Sequence, residues 1–190
     1  MDIREEALKA VGILREGGVI LYPTDTVWGL GCDATNEKAV AKIFGIKRRS
    51  EAKSLVLLAS DLDMVAMYVK TIPPIAIDLV EVNDAPMTII YPGAQYLAPN
   101  VVAEDGSVGI RIPQENAAFC LEVLRRLRRP LVSTSANISG EPTPGCWKEI
   151  PEEIRNAVDY CAPAGLDSGT GKASQIIKLG LKGEVQIIRA

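Results

Sequence analysis

Histidine is absent from this chain of 190 residues. A Ser-His-Asp triad, a Cys-His pair and a His-ligated metal all need an imidazole, so the sequence excludes each of them. An enzyme of this composition has to work by positioning its substrates, by stabilising charge with cations, or with carboxylates, lysine or metal-bound water.

Clustered cysteines are also lacking. The four cysteines, at positions 32, 120, 146 and 161, form no C-x-x-C pair. We expect free thiols and no structural zinc site, because such a site needs closely spaced ligands.

Long hydrophobic runs and an excess of positive charge are lacking as well. No apolar run approaches the ~20 residues that cross a bilayer, and the acidic, amphipathic start MDIREEALKAVGIL does not resemble a signal peptide. We therefore expect a cytoplasmic protein with no membrane partner. A net charge of −3 and an aromatic content of 5% do not suggest a general nucleic-acid binder.

The residues that are present predict an α/β fold. Hydrophobic content of 47% and charged content of 24% are ordinary for a globular chain. Periodicity and breakers predict helices over 2–16, 36–47, 61–69, 73–82, 116–129 and 152–158. They predict strands over 18–22, 27–31, 55–59, 87–91, 107–112, 131–134, 160–162, 174–179 and 185–189. The interleaved order predicts one domain over 1–190, a twisted mixed sheet with flanking helices.

Residues 22–31, YPTDTVWGLG, place small hydroxyls, one carboxylate and two glycines at a strand end. Such a composition suits the wall of a small-molecule pocket. A plain hairpin would use the same Pro, Asp and Gly, and on this stretch alone the turn is the commoner explanation. The glycine-rich segment 165–173 is either a mobile loop over a site or, as the default, a surface connection.

The chain has two clusters of basic residues, at 47–53 and at 125–129, and different physical causes explain them. Favourable pairing with a helix C-terminus accounts for Lys47, but Arg49 and Lys53 lie beyond the predicted helix and favour an anionic ligand as much as a solvated surface. The arginines at 125, 126, 128 and 129 end a helix before Pro130, where the helix dipole and solvation explain them.

Residues 130–140, PLVSTSANISG, run from a buried strand into hydroxyls, an amide and a glycine. The carboxyl end of a strand is where α/β sheets bind ligands, although a Ser/Thr-rich turn explains the composition equally well. Arg111 and Arg189 stand inside predicted strands. An arginine there usually faces solvent, and one that faces inward needs an anion.

Together these segments resemble the YrdC family of threonylcarbamoyl-AMP synthases over nearly the whole chain and in the family's order. PTDTVWGLG is similar to its PTET/PTDT-x-YGLG motif, and residues 43–49, IFGIKRR, to its I-F-x-x-K-x-R. SVGIR at 107–111 is similar to its T-V-x-V-R strand, and PLVSTSANISG to its P-L-x-x-x-S-A-N-x-S-G. The resemblance implies a YrdC-like fold around a concave basic pocket, in the short, single-domain form.

The resemblance also implies a reaction. L-Threonine, bicarbonate and ATP would give threonylcarbamoyl-AMP and pyrophosphate, with Mg²⁺ accompanying the ATP and no metal site on the protein. The product would serve t6A formation at position 37 of tRNA through a tRNA threonylcarbamoyl transferase complex. Lys and Arg would spread the phosphate charge, so no protein nucleophile is needed.

Carried over by motif, the implied site has two parts. Threonine would contact Thr24, Arg111, Ser133 and Ser174, with Arg111 as a bidentate fork on its carboxylate. ATP would contact Lys47, Arg49, Ser107, Ser135, Asn137, Thr143 and Arg189. Lys47 and Arg49 would be the catalytic charge stabilisers, so Lys47→Ala should abolish pyrophosphate release while the fold survives.

The chain departs from the family's pattern at several points. Ser50 and Ser54 replace usual prolines, residues 83–86 read NDAP where W-P-G-P is usual, and SQIIK at 174–178 replaces S-T-V-V-D. Ala190 follows Arg189 directly, short of the usual R-x-G. Two alternatives stay open: an RNA-binding YrdC-like module, and a paralogue with an altered acyl-acceptor substrate.

Overall fold

The fold is described from a computed structural model, which describes residues 2–50 and 55–190. Lys53 and Ser54, which the sequence placed in the basic cluster and among the family departures, lie outside these residues. The helices are α1 (Ile3–Arg15), α2 (Glu37–Lys47), α3 (Leu62–Tyr68), α4 (Pro74–Val82), α5 (Ala118–Leu127) and α6 (Glu152–Ala157). No helix in the described ranges is long and apolar enough to cross a bilayer.

Nine strands form one mixed sheet in the described part of the chain. They are β1 (Ile20–Tyr22), β2 (Gly29–Gly31), β3 (Val56–Leu58), β4 (Met87–Tyr91), β5 (Val108–Arg111), β6 (Leu131–Ser135), β7 (Tyr160–Cys161), β8 (Gln175–Leu179) and β9 (Val185–Arg189). The order is β7-β1-β2-β6-β3-β5-β4-β8-β9. The predicted α/β fold with a mixed sheet and flanking helices is confirmed.

Helix ends follow the capping residues that the sequence offered. Asp2 accepts from the Arg4 amide at 2.9 Å, and Asn36 accepts from the Ala39 amide at 3.1 Å. These are the N-cap contacts that Asp and Asn make in general. Helix α5 starts later than predicted, after Ala117 and without a side-chain cap, and the Asn116 side chain donates to the Ser168 carbonyl at 3.1 Å.

The sheet separates two hydrophobic cores. On one face, alternate residues such as Leu57, Ile89, Ile110 and Val132 belong to a core that includes buried residues of α2 and α3. On the other face, α1 and α5 pack around Leu58, Leu131 and the β1–β2 hairpin. Farther along that second face, β3, β4, β5 and β8 line hollows instead of meeting a helix.

Candidate functional site

A hollow of about 310 Å³ opens on this second face, at the carboxyl end of β6. Its wall contains three arginines and a group of hydroxyls drawn from distant parts of the chain. Seven of the sequence-predicted site residues line it: Arg49, Arg111, Ser133, Ser135, Thr143, Ser174 and Arg189. The structure therefore brings most of the predicted site together.

Sheet register explains how these residues reach one place. Residues opposite one another in neighbouring strands share a face. One row across the sheet runs through Ser133, Val56, Gly109, Ile90 and Lys178. The next row runs through Leu131, Leu58, Arg111, Thr88, Ile176 and Arg189. Ser133 and Ser135, two residues apart on β6, point to the same side.

Arg111 faces inward and has the anion that an inward arginine needs. Its side chain is 4% exposed, and Nη1 donates to Oδ1 of Asp25, which is 1% exposed. Nη2 donates to Thr26 Oγ1 at 3.1 Å, and the other oxygen of Asp25 accepts from the Gln114 amide at 3.1 Å. The β1–β2 turn is thereby fixed to the end of β5.

The segment 165–173 is joined to the same turn. Gly171 donates its amide to the Thr26 carbonyl at 2.8 Å, and Thr170 donates to the Asp25 carbonyl at 3.2 Å. Gly169 packs so closely that a Cβ would lie 2.4 Å from the Thr26 carbonyl oxygen. The segment is largely exposed, as a surface connection is, but these contacts join it to the turn, and it leads into the wall residues Ala173 and Ser174.

Ser174 and Arg189 form the far wall of the hollow. Arg189 donates from Nε to the Ser174 carbonyl at 2.8 Å, and Ser174 Oγ shares a hydrogen bond of 2.8 Å with Thr88 Oγ1. Arg189 is thus held at the start of β8 although it lies on the edge strand β9.

Lys47 does not line the hollow but lies behind its wall. The side chain is 2% exposed, and Nζ donates to the carbonyls of Ser135 at 2.6 Å and Asn137 at 2.8 Å. Burial, with Arg49 nearby, lowers the pKa of Lys47 to about 8. Asn137 also lies behind the wall, donating to the Glu141 carbonyl at 2.8 Å. Both residues fix the loop that carries Ser135.

Arg49 stands just past the point where α2 ends. Arg48 caps that helix in the left-handed conformation, with φ of 49°, and the chain then turns so that Arg49 reaches the wall of the hollow. Burial lowers the pKa of the Arg49 guanidinium from its ordinary value, while leaving it far above neutral as an arginine always is.

Thr24 is likewise inside the wall and not on its surface. Its hydroxyl donates to the Val27 carbonyl at 2.8 Å and lies 2.9 Å from Thr26 Oγ1. Thr26, Val27 and Gly29 are the residues of this motif that line the hollow. The segment is both a hairpin turn and a pocket wall, so the two sequence interpretations are compatible.

Ser107 lines a second, larger hollow of about 630 Å³. The two hollows share Leu55, Val56 and Ile176, so they adjoin on one sheet face. Ser107 Oγ donates to Asp105 at 2.5 Å. Hydrogen bonds from Lys178 and Ser107 hold the pKa of Asp105 below its ordinary value.

Three polar residues near the hollow were not among the sequence-predicted site residues. Thr26 and Asp25 stand in the same motif as Thr24, so their closeness to Thr24 in the sequence could have identified them as site residues. Thr88 alternates with apolar residues in β4 and carries no local signal; only its pairing with Arg111 and Ile176 reveals it. Among the described residues, no group of three or more His, Cys, Asp or Glu is placed to bind a metal.

Comparison with known proteins assigns the family. A sequence profile named Sua5_yciO_yrdC, described as "Telomere recombination", matches residues 12–190. The chain belongs to the Sua5/YciO/YrdC family, as the motif resemblance predicted.

Individual relatives agree with this membership. The threonylcarbamoyl-AMP synthase of Hahella chejuensis is 32% identical over 88% of this chain and 90% of the relative. The protein of the same name from Pseudomonas aeruginosa is 36% identical over 79% of this chain and 80% of the relative. The crystal structure of Pyrococcus abyssi Sua5 complexed with L-threonine superposes with a TM-score of 0.80 at 25% identity. That match covers 94% of this chain and 52% of the Sua5 chain, so this chain spans about half of that relative.

Proposed function

We propose that this chain is an L-threonylcarbamoyladenylate synthase, a nucleotidyltransferase. The observation that carries the proposal is the hollow itself, where Arg49, Arg111 and Arg189 meet the hydroxyls of β6 in a chain whose curated relatives bear this name. Three guanidinium groups suit a substrate pair with a triphosphate and a carboxylate, because arginine matches both anions with paired donors.

The proposed roles follow the two groups of side chains. Arg111, Ser133 and Ser174 bind threonine, and Thr24 supports them through Thr26. Arg49, Ser135, Thr143 and Arg189 bind the phosphates of ATP, with Lys47 and Asn137 behind them. The adenosine end of ATP extends past Ser107 into the larger hollow, because the two hollows adjoin.

The chemistry needs alignment and charge stabilisation only. The amine of threonine adds to bicarbonate with loss of water, giving a carbamate. A carbamate oxygen then attacks the α-phosphorus of ATP, the bond to the β-phosphate breaks, and pyrophosphate leaves. Arg49 offsets charge on the transferring phosphate and Arg111 holds the threonine, so the site lowers the barrier by positioning and electrostatics.

Mg²⁺ enters this proposal as part of the substrate. It would be carried by the triphosphate, as Mg²⁺ commonly is in sites that handle nucleotides. The product would pass to a tRNA threonylcarbamoyl transferase complex in the cytoplasm, with t6A at tRNA position 37 as the destination.

Pyrophosphate release with ATP, Mg²⁺ and bicarbonate, measured with and without L-threonine, tests the proposal. We expect release that depends on threonine and is at least about tenfold slower with serine or valine, as one misplaced group costs ~1–3 kcal/mol. Arg49→Ala should lose most of the threonine-dependent pyrophosphate release. Arg125→Ala should keep it, because Arg125 is an exposed residue of α5.

Two results would replace the proposal by the alternatives above. Turnover that prefers another amino acid would identify a paralogue with a changed acceptor. Salt-dependent tRNA binding without threonine-dependent turnover would identify an RNA-binding module. The structure weakens the basis for that module, because Arg126 pairs with Glu122 and Arg129 pairs with Asp33.

A further inference from the structure

Asp25 carries a carboxylate that is buried in the β1–β2 turn. Turns also use the neutral residues Asn and Gly, which would not bury a charge. An ionised carboxylate inside a protein is unfavourable unless charge and hydrogen bonds compensate it. Both oxygens of Asp25 are compensated: one by Arg111 Nη1 and the other by the Gln114 amide. The free-energy cost of burying the Asp25 carboxylate therefore depends on where Arg111 lies.

The two members of this pair face different sides. Arg111 lines the smaller hollow with Thr26. Asp25 does not line that hollow and instead borders a separate surface cleft with Gln114 and Thr170. The carboxylate thus contacts the guanidinium from behind the wall.

This placement restricts how the guanidinium can be used. A guanidinium has five N–H donors in a planar fork. Nη1 and Nη2 each give one hydrogen, to Asp25 and to Thr26 Oγ1. Within residues 2–50 and 55–190 the remaining donors have no assigned acceptor, which leaves them for a ligand in the hollow.

We propose that Asp25 is a positioning residue, which orients Arg111 so that its remaining donors meet the carboxylate of the amino-acid substrate. The proposal rests on the proposed function for the identity of that substrate. Asp25 does not touch the substrate, and it acts through Arg111 alone.

Asp25→Asn tests the proposal against a matched control. Arg111 and the Gln114 backbone N–H donate to different oxygens of Asp25. Asparagine puts an NH2 donor in place of one of these oxygens, so one of the two hydrogen bonds is lost. Asp33→Asn is the control, because Asp33 is also buried and paired with an arginine, Arg129 at 2.8 Å, but lines neither hollow. We expect Asp25→Asn to raise the KM for threonine at least about tenfold, equivalent to ~1.4 kcal/mol, with the KM for ATP changed less than about threefold.

A double-mutant cycle separates positioning from a general structural effect. If Asp25 acts through Arg111, Asp25→Asn should add less than about twofold to the threonine KM of Arg111→Met, in which no cation is left to pair with Asp25. Effects that multiply, equal rises in both KM values, or the same behaviour in Asp33→Asn would overturn the proposal. If Asp25→Asn does not fold, Asp25→Glu takes its place, since its longer side chain cannot place both oxygens on the same donors.

A measurement without substrate keeps the proposal separate from the proposed function. The NMR signal of the Arg111 Nε–H is assigned by its loss in Arg111→Lys. In Asp25→Asn it should shift and exchange faster with solvent, and in Asp33→Asn it should not. If the wild type shows no threonine-dependent turnover, the proposed function fails, and an unchanged Arg111 signal in Asp25→Asn would by itself refute the positioning role.

Discussion

At the residue scale, Lys47 illustrates how position changes the meaning of a motif. The resemblance assigned it to the ATP phosphates, whereas its ammonium group lies behind the wall and donates to two carbonyls of the β6 loop. Its assignment as a phosphate ligand stays a prediction. We expected Lys47→Ala to leave the fold intact. The structure indicates a loss of stability as well, because the carbonyls of Ser135 and Asn137 would lose their hydrogen-bond donor.

We expect Lys47→Ala to lower the free energy of unfolding by about 2–4 kcal/mol, from the unsatisfied carbonyls and the cavity together. Urea unfolding at pH 7 measures this change. Lys38→Ala on the exposed side of α2 serves as the control and should change stability far less. Equal stability of Lys47→Ala and the wild type would contradict the buried role.

The lowered pKa of Lys47 also predicts a pH dependence of stability. The folded state has a pKa of about 8 against an ordinary 10.5, so between these values the unfolded chain binds more protons. The stability that depends on this group therefore rises with pH across that window, by up to roughly 1.4 kcal/mol for each pH unit. Relative to Lys47→Met, which has no titrating group, the wild type should gain stability from about pH 7.5 to about pH 10 in urea unfolding. A difference between the two proteins that stays constant with pH would refute the lowered pKa.

At the element scale, the β1–β2 hairpin depends on a glycine that its strand pairing requires. A Cβ on Gly31 would lie 2.5 Å from Tyr22 Cε1 and 2.7 Å from the Val132 carbonyl oxygen. Neither atom can move freely, since Tyr22 is fully buried and Val132 is in β6, an interior strand of the sheet. The motif's last glycine is therefore required by packing beneath the site.

Gly31→Ala should destabilise the protein by about 1–3 kcal/mol, the usual cost of overpacking. Gly45→Ala is the control, because a Cβ there meets nothing within 4 Å and the position is inside α2. That change should stabilise by up to ~1 kcal/mol through helix propensity. Thermal unfolding of the two variants should move the midpoint in opposite directions.

The segment 168–171 depends on Gly169 in a different way. A Cβ there would meet the Thr26 carbonyl oxygen at 2.4 Å, so Gly169→Ala should separate the segment from the turn while the core stays folded. Hydrogen exchange should then become faster at the amides of Thr170 and Gly171, which donate to Asp25 and Thr26. Lys172→Ala, which changes an exposed side chain next to the segment and keeps the glycine, should leave those amides protected.

At the scale of the whole molecule, the nine-stranded sheet determines the size of the site. Helices α1 and α5 cover one end of its second face, and the uncovered part holds two adjoining hollows. Gly109 lies in the middle of that part, in the row between Val56 and Ile90. Its lack of a side chain keeps the larger hollow open.

Gly109→Val should narrow the larger hollow while the strand persists, because valine favours strands and a Cβ there has its nearest neighbour, Thr88 Cγ2, at 3.4 Å, which is ordinary contact. Under the proposed function, we expect the KM for ATP to rise at least about tenfold while the KM for threonine changes little. Substrate kinetics and a far-UV spectrum check both parts. An unchanged KM for ATP would contradict the proposed placement of the adenosine in the larger hollow.

The sequence was sufficient for the elements and for the family. Apolar periodicity and the caps at Asp2 and Asn36 act over a few residues, so they can be recognised in the sequence without knowledge of the fold. The motif at 22–31 and the Ser135 segment predicted which parts of the chain would meet, and both segments contribute to the wall of the hollow.

Only the tertiary structure decided which side chains of those motifs face the hollow. Thr26 lines it, whereas Thr24 lies inside the turn and stabilises it. Arg111 is paired with Asp25, which lies 86 positions earlier in the chain. Strand register and burial set these outcomes, and both depend on partners distant in sequence. Local patterns establish residue types and spacing, whereas the direction of each side chain follows from the free energy of the whole packed sheet.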